Sequence, residues 1–152
     1  MQGQAGEPLS VDLDDFPLVR LGSPGGRAWG SDDVERFFAC ADRAISRRAR
    51  FVLLHDARGM PWLDAVQRQR FLAELTHRKP LIERFMLGYG AVVRSPLERG
   101  VLTALAWSIP LALPRRIFAS ESEARSFLLD TYARVGPRKR RSGEYLIKRD
   151  AG

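Results

Sequence analysis

Apolar positions follow one another along the chain in two alternating patterns: short continuous runs, and longer stretches where they recur every three or four residues. Phe16-Pro17-Leu18-Val19-Arg20-Leu21 predicts a short strand, closed by the turn-forming run Gly22-Ser23-Pro24-Gly25-Gly26. Ser31-Asp32-Asp33 then supplies a helix cap followed by first-turn acids, which offset the positive end of the helix dipole. Val34, Phe37, Phe38, Ala41 and Ile45 fall on one stripe of that helix. Phe51-Val52-Leu53-Leu54 is apolar throughout, as a central strand covered on both faces requires. Pro61 suits the first position of a second helix running through Trp62, Val66, Leu72 and Leu75, which Pro80 should break or kink. Met86 to Val93 predicts the next strand, where Gly88 and Gly90 allow close approach by a neighbour.

Ser95-Pro96-Leu97-Glu98 has the form of a capping box, with serine accepting from the helix and glutamate reaching back to the cap. The helix it opens carries Leu97, Val101, Leu102, Leu105 and Trp107, is apolar on most sides, and is expected to be buried. Arg115 to Ala119 predicts a last short strand. Ser120-Glu121-Ser122-Glu123 opens a further helix with Ala124, Phe127, Leu128, Thr131 and Val135 on one face, and Gly136-Pro137 should stop it. Strand and helix alternate four times. That order predicts an α/β fold, a single-layer, mostly parallel sheet of four to five strands with helices packed on it. The expected organisation is a flexible acidic arm over 1–15, an α/β domain over 16–136, and a basic tail over 137–152.

Composition agrees with a folded domain: 152 residues, 45% hydrophobic and 28% charged. No apolar run approaches the roughly 20 residues of a membrane span, and the acidic first fifteen residues show no signal-peptide pattern. The net charge of +7 is unevenly spread. Residues 1–16 carry four acids and no base, and residues 134–152 carry seven bases against two acids, so the body is basic as well as the tail. Such an excess attracts anions at long range without naming one. The single cysteine, Cys40, excludes an intrachain disulfide and a cysteine-based zinc site. Its place on the first helix's apolar face predicts a buried, inert thiol, and a cytoplasmic setting fits.

The strand–helix order, together with Asp56-Ala57-Arg58-Gly59-Met60-Pro61-Trp62-Leu63-Asp64-Ala65 after the second strand, resembles the STAS domain of anti-sigma-factor antagonists. The resemblance covers about Phe16 to Val135, and its motif spans the strand end, a glycine, apolar residues and two aspartates. The segment Val92-Val93-Arg94-Ser95-Pro96-Leu97-Glu98-Arg99-Gly100, followed by Leu102-Thr103-Ala104, is similar to STAS-like proteins of unassigned role in predatory and gliding bacteria. The family resemblance implies a protein-binding role in regulation or signalling. It also implies a phosphate acceptor, a Ser or Thr after the second aspartate, whose added charge releases the partner. Here that position is Ala65, which has no hydroxyl. A docking surface without the phosphorylation switch is the expectation.

Candidate chemistry is sparse. His55 and His77 are the only histidines, and no metal-ligand spacing surrounds them, so no metal or cofactor is expected. His55 extends a buried strand and reads as a structural histidine; His77 reads as surface. The chain has no nucleophile elbow, phosphate-binding loop or dinucleotide fingerprint. An enzyme using Asp56 or His55 as base is the weakest of the functional readings, for want of a nucleophile or cofactor motif.

Asp56, Arg58, Trp62, Asp64, Arg94, Ser95 and Arg99 form the candidate partner-binding set. All fall at predicted strand C-termini or in the following helix starts, the edge where open α/β sheets bind ligands. Arg58, Arg94 and Arg99 could hold an acidic partner; alternatively they pair with Asp56, Asp64 and Glu98 as ordinary surface ion pairs. Trp62 is a candidate anchor at an interface, whereas Trp107 reads as core. Arg138, Lys139, Arg140 and Arg141 are candidates for contact with nucleic acid or another anion, although Tyr145 is the only ring nearby to stack on a base. The stretch Gly143 to Lys148 could instead add a strand to a sheet edge. The leading expectation is a non-enzymatic interaction module whose partner is another protein, a second copy of the chain included. Association with nucleic acid or an anion through the tail and Arg94/Arg99 is the alternative.

Overall fold

The computed structural model describes residues 9–22, 29–30, 32–60 and 63–150, with side chains described as far as residue 136. A five-stranded sheet runs in sequence order: β1 (Ser10–Asp12), β2 (Leu18–Gly22), β3 (Phe51–Asp56), β4 (Met86–Val92) and β5 (Arg115–Phe118). β1 pairs antiparallel with β2, Val11 opposite Leu21, and every later pairing is parallel. Helices α1 (Asp33–Ile45), α2 (Ala65–Phe85) and α3 (Pro96–Ala106) cross between successive parallel strands, and α4 (Glu121–Asp150) follows β5.

The pleat divides the core in two. Val19, Leu21, Phe51, Leu53, Met86 and Ala91 pack against α1, α2 and α3, while Leu18, Val52, Leu54 and Val92 face Ala124 and Leu128 of α4. The alternation is interrupted at one point. Phe51 lies opposite Met86 but Val52 lies opposite Gly88, so β4 holds one extra residue there. The bulge swaps the faces beyond it: Tyr89 joins the side of α1 to α3, and Gly88 and Gly90 face α4. A Cβ on Gly90 would stand 3.2 Å from Leu128, so the close approach expected at these glycines is that of α4.

Several expectations are corrected by the structure. Residues 10–12 of the expected flexible arm form β1, because Leu9, Val11 and Leu13 alternate inward onto the core beside α1. The second helix starts at Ala65, four residues after Pro61. Asp64 caps it in a full capping box with Gln67, while Met60 and Leu63 are buried just before it. Pro80 does not break α2; it forgoes one backbone bond on the exposed side, and Ile82 and Phe85 anchor the last turn.

Trp107 is not core: it is the C-cap of α3, 44% exposed, with Arg115 stacked on its ring. Cys40 is half-buried, and burial raises its thiol pKa. Val66, assigned to the apolar face of α2, is 67% exposed. The helix expected to end at Gly136-Pro137 runs to Asp150, so 143–148 is not a strand; the Arg, Lys, Glu and Leu beyond Pro137 are good helix formers. The turn residues 23–26, the Ser31 cap, Pro61 and Trp62 lie outside the described residues, as do the side chains of Arg138, Lys139, Arg140, Arg141 and Tyr145.

Candidate functional site

The C-terminal ends of the parallel strands and the starts of α2, α3 and α4 gather the predicted residues along one edge. Asp56, the last residue of β3, is the hub. Arg58 donates to both its oxygens, from Nε at 2.9 Å and Nη2 at 2.8 Å, and Arg20 donates to it from Nη2 at 2.9 Å. Arg20 also donates from Nε to Glu121 at 2.6 Å, and Arg58 lies 3.9 Å from Glu121. Two arginines and two carboxylates thus balance one another across β2, β3 and α4. Burial pushes the Asp56 carboxyl up, but the hydrogen bonds and charge of Arg58 with the charge of Arg20 outweigh it, and the pKa lies below its ordinary value. Arg20 and Glu121 were missed from the sequence. The available signal was Arg20 itself, a charge within an apolar strand.

The β3–α2 connection begins with a tight turn in which Met60 N–H donates to the Ala57 carbonyl. Gly59 adopts φ 79°, the left-handed conformation that glycine takes without strain. Its N–H donates to Glu98 Oε2 at 2.9 Å, and Arg94 N–H donates to Oε1 of the same carboxylate at 2.6 Å. Ser95 Oγ does accept from Glu98 N–H at 3.2 Å, as a cap. Glu98 is therefore not the second half of a capping box; its carboxylate reaches past Ser95 and joins the loop after β3 to the loop after β4. Across the edge, Gln67 on α2 donates to the carbonyls of Trp29 and Gly30, tying down the segment before α1.

The predicted residues consequently divide. Arg58 pairs with Asp56. Arg94, 68% exposed, makes a 3.4 Å contact with Glu98. Arg99 donates to the Ile117 carbonyl at 3.2 Å and meets no carboxylate among the described residues. Asp64 is occupied as the cap of α2, accepting from Gln67 N–H at 2.8 Å, and pairs with no arginine among the described residues. Among the four large hydrophobic side chains exposed in the described residues, Val66 and Leu97 (67% and 61%) occupy the first turns of α2 and α3, on this edge.

His55, one residue before Asp56, points the other way, into the α1-to-α3 core. It is 1% exposed, stacks edge-on against Phe37, and its Nδ1 lies 2.6 Å from the Tyr89 hydroxyl. Burial lowers its pKa to about 4 and pushes the Tyr89 hydroxyl up, so at neutral pH a neutral imidazole and a neutral phenol share this hydrogen bond. His77 is exposed on α2. Among the described residues, no group of three or more His, Cys, Asp or Glu could hold a metal ion, and no helix is long and apolar enough to cross a membrane.

No family model matches the sequence, and no curated protein matches it. Among solved structures, the chain is similar to an uncharacterized protein of the DUF3478 family, with a SpoIIAA-like fold, from Shewanella loihica PV-4. The likeness covers 84% of this chain and 98% of that one, with a TM-score of 0.59 and 15% identity. The chain has the SpoIIAA-like, or STAS, fold. In this STAS fold, Ala65 is the first helical residue after the Asp64 cap. Asp56, Gly59 and Glu98 lie at the C-terminal edge of the parallel strands.

Proposed function

We propose that the chain is a non-enzymatic protein-interaction module of a bacterial, cytoplasmic regulatory or scaffolding assembly, docking through the edge built by the β3–α2 and β4–α3 loops. The observation that carries this reading is the exposure of Val66 and Leu97 in the first turns of α2 and α3, at the same end of the parallel strands as the exposed Arg94 and Arg99. Apolar residues inside a polar rim are the usual composition of a protein interface. The acids nearby are turned to internal tasks: Glu98 on two backbone N–H groups, Asp64 on the α2 cap, and Asp56 on Arg20 and Arg58. The face left for a partner is positive, which favours an acidic one. With Ala65 at the acceptor position the contact is constitutive.

The test is affinity capture with the full chain from nuclease-treated lysate of the source cells. Three baits are compared: the natural chain, Val66→Ser/Leu97→Ser, and Arg94→Ala/Arg99→Ala. A discrete protein held by the first and lost from both variants supports the reading. A partner retained equally by all three removes this edge from the interface. Capture that vanishes with nuclease treatment favours the tail as a nucleic-acid contact. Sedimentation of the purified chain tests a second copy as the partner.

A further inference from the structure

At the end of the parallel strands opposite the docking edge, arginines gather. Arg43 lies in the last turn of α1, Arg47, Arg48 and Arg50 in the loop leading into β3, and Arg84 in the last turn of α2 beside the start of β4. Arg43, Arg47, Arg48 and Arg84 are exposed, and none of the five meets a carboxylate among the described residues. The acids of the neighbouring elements are turned elsewhere: Asp42 and Glu74 to Arg78, Glu83 to the Ala112 N–H, and Asp15 to Arg125. Asp12 accepts from the Asp14 N–H, so in the turn between β1 and β2 only Asp14 has no such task among the described residues.

Rings hold three of these cations in place. Arg47 lies over Phe16, 4.9 Å from its centre, and Arg48 and Arg84 lie 5.8 and 5.2 Å from the centre of one shared ring, Phe85. Arg48 adopts φ 53°, so an arginine stands where glycine would sit without strain. Arg50 Nη1 is buried and has no hydrogen-bond partner. Guanidinium groups placed like this, without internal carboxylates, suit phosphate oxygens. The course of α4 adds to the same end. It starts at Glu121 beside Arg20, and Leu128 meets Gly90 before Thr131 meets Gly88, so it runs antiparallel to the strands. Glu121 to Gly136 covers about 24 Å at 1.5 Å per residue, against about 20 Å for the 6 residues of β3. The backbone from 137 to 150, whose sequence includes Arg138-Lys139-Arg140-Arg141, therefore continues past this end.

We infer that this end of the molecule binds the phosphate backbone of a nucleic-acid duplex through Arg43, Arg47, Arg48, Arg50 and Arg84. Contacts to phosphate alone carry no base information, so the binding is independent of sequence. A duplex suits the surface better than a single strand, because its rings are already covered. Phe85 is buried and Phe16 packs between Arg47 and Phe51, so neither is free to stack on an unpaired base. A bilayer suits it less, because none of the four large exposed hydrophobic side chains lies on α1, in the loop after it or in the last turn of α2. The site stands apart from the docking edge and does not depend on it.

The probe is a fluorescein-labelled DNA duplex of mixed sequence, titrated with the full chain and read by anisotropy. Near physiological salt the dissociation constant should be of order micromolar, and log K should fall against log salt with a slope of about −4 or steeper. Two double variants each remove two positive charges, at opposite ends of the strands: Arg48→Gly/Arg84→Ala and Arg94→Ala/Arg99→Ala. The first should weaken binding roughly tenfold or more and flatten the slope by about 2, and the second should change the affinity less than about threefold. Equal losses in the two would trace to the net charge of the chain and overturn the inference. In the natural chain, addition of the duplex should shift the amide signals of 43–50 and Arg84 and leave those of Gly59 and Arg94 in place, a reading that needs no variant. Absence of those shifts overturns the inference. So does binding lost in Arg138→Ala/Lys139→Ala/Arg140→Ala/Arg141→Ala but kept in Arg48→Gly/Arg84→Ala, or tighter binding to phosphatidylcholine–phosphatidylserine vesicles than to the duplex.

Discussion

Glu98 offers the sharpest test of how the docking edge is built. Its carboxylate is 11% exposed and accepts from two backbone N–H groups on different loops, Gly59 at 2.9 Å and Arg94 at 2.6 Å. Hydrogen bonds to a charged group contribute about 1.5–3 kcal/mol each. The Arg94 N–H is exposed and regains water when the carboxylate is removed, so its share falls near the bottom of that range or below; the Gly59 N–H is half-buried and regains less. Glu98→Ala should therefore cost about 2–3 kcal/mol, lowering Tm by roughly 5–10 °C in a chain of this size. Glu98→Gln keeps the shape but turns an amide NH₂ toward one of the two donors, and should cost about 1–2 kcal/mol. The assay is urea unfolding together with amide hydrogen exchange. In both variants Gly59 should exchange roughly ten- to a hundredfold faster, as the β3–α2 loop opens locally. Arg94→Ala is the control: its 3.4 Å exposed ion pair contributes little and should leave Gly59 protected. If Gly59 in Glu98→Ala exchanges as slowly as in the natural chain, the carboxylate does not join these loops.

The core and its charges give three more expected outcomes. His55 has a folded pKa of about 4 against an unfolded value near 6.5. Both states are neutral above the higher value, and the unfolded state alone gains the proton between the two. Stability should thus fall by up to about 3 kcal/mol as pH drops from about 6.5 to 4, and His55→Asn should show a flatter profile by urea midpoint. Asp56→Asn leaves Arg20 and Arg58 short of a charge partner; a loss of about 1 kcal/mol at low ionic strength is expected, shrinking in about 0.5 M salt, and a salt-independent loss would point to packing instead. Gly90→Val places carbon where Leu128 already stands within 3.2 Å, so the Leu128 side chain or α4 must give way, at about 1–3 kcal/mol. An unchanged thermal midpoint for Gly90→Val would mean that α4 does not bear on β4.

The order of elements and the parallel sheet were legible along the chain. A fully buried strand such as Phe51–Asp56 has no polar face to show, and a stripe such as Val34, Phe37, Phe38 and Ile45 has only one period to follow, so each declares its partner surface locally. The strand-end region of the edge was legible too, because Asp56, Arg58, Arg94, Ser95 and Arg99 lie near the ends of those elements. Which partner each side chain takes was a matter for the folded arrangement. Glu98 matched a local capping rule, yet a loop 39 residues away offered Gly59 N–H and won its carboxylate. Arg20 met Glu121 across 101 residues, a pairing that no local spacing contains. Trp107 lay on an apolar helix, but the helix ended beneath it and left its ring half in solvent under Arg115. Periodicity is a property of neighbours along the chain, whereas a site is set by groups that the fold brings together from far apart in it.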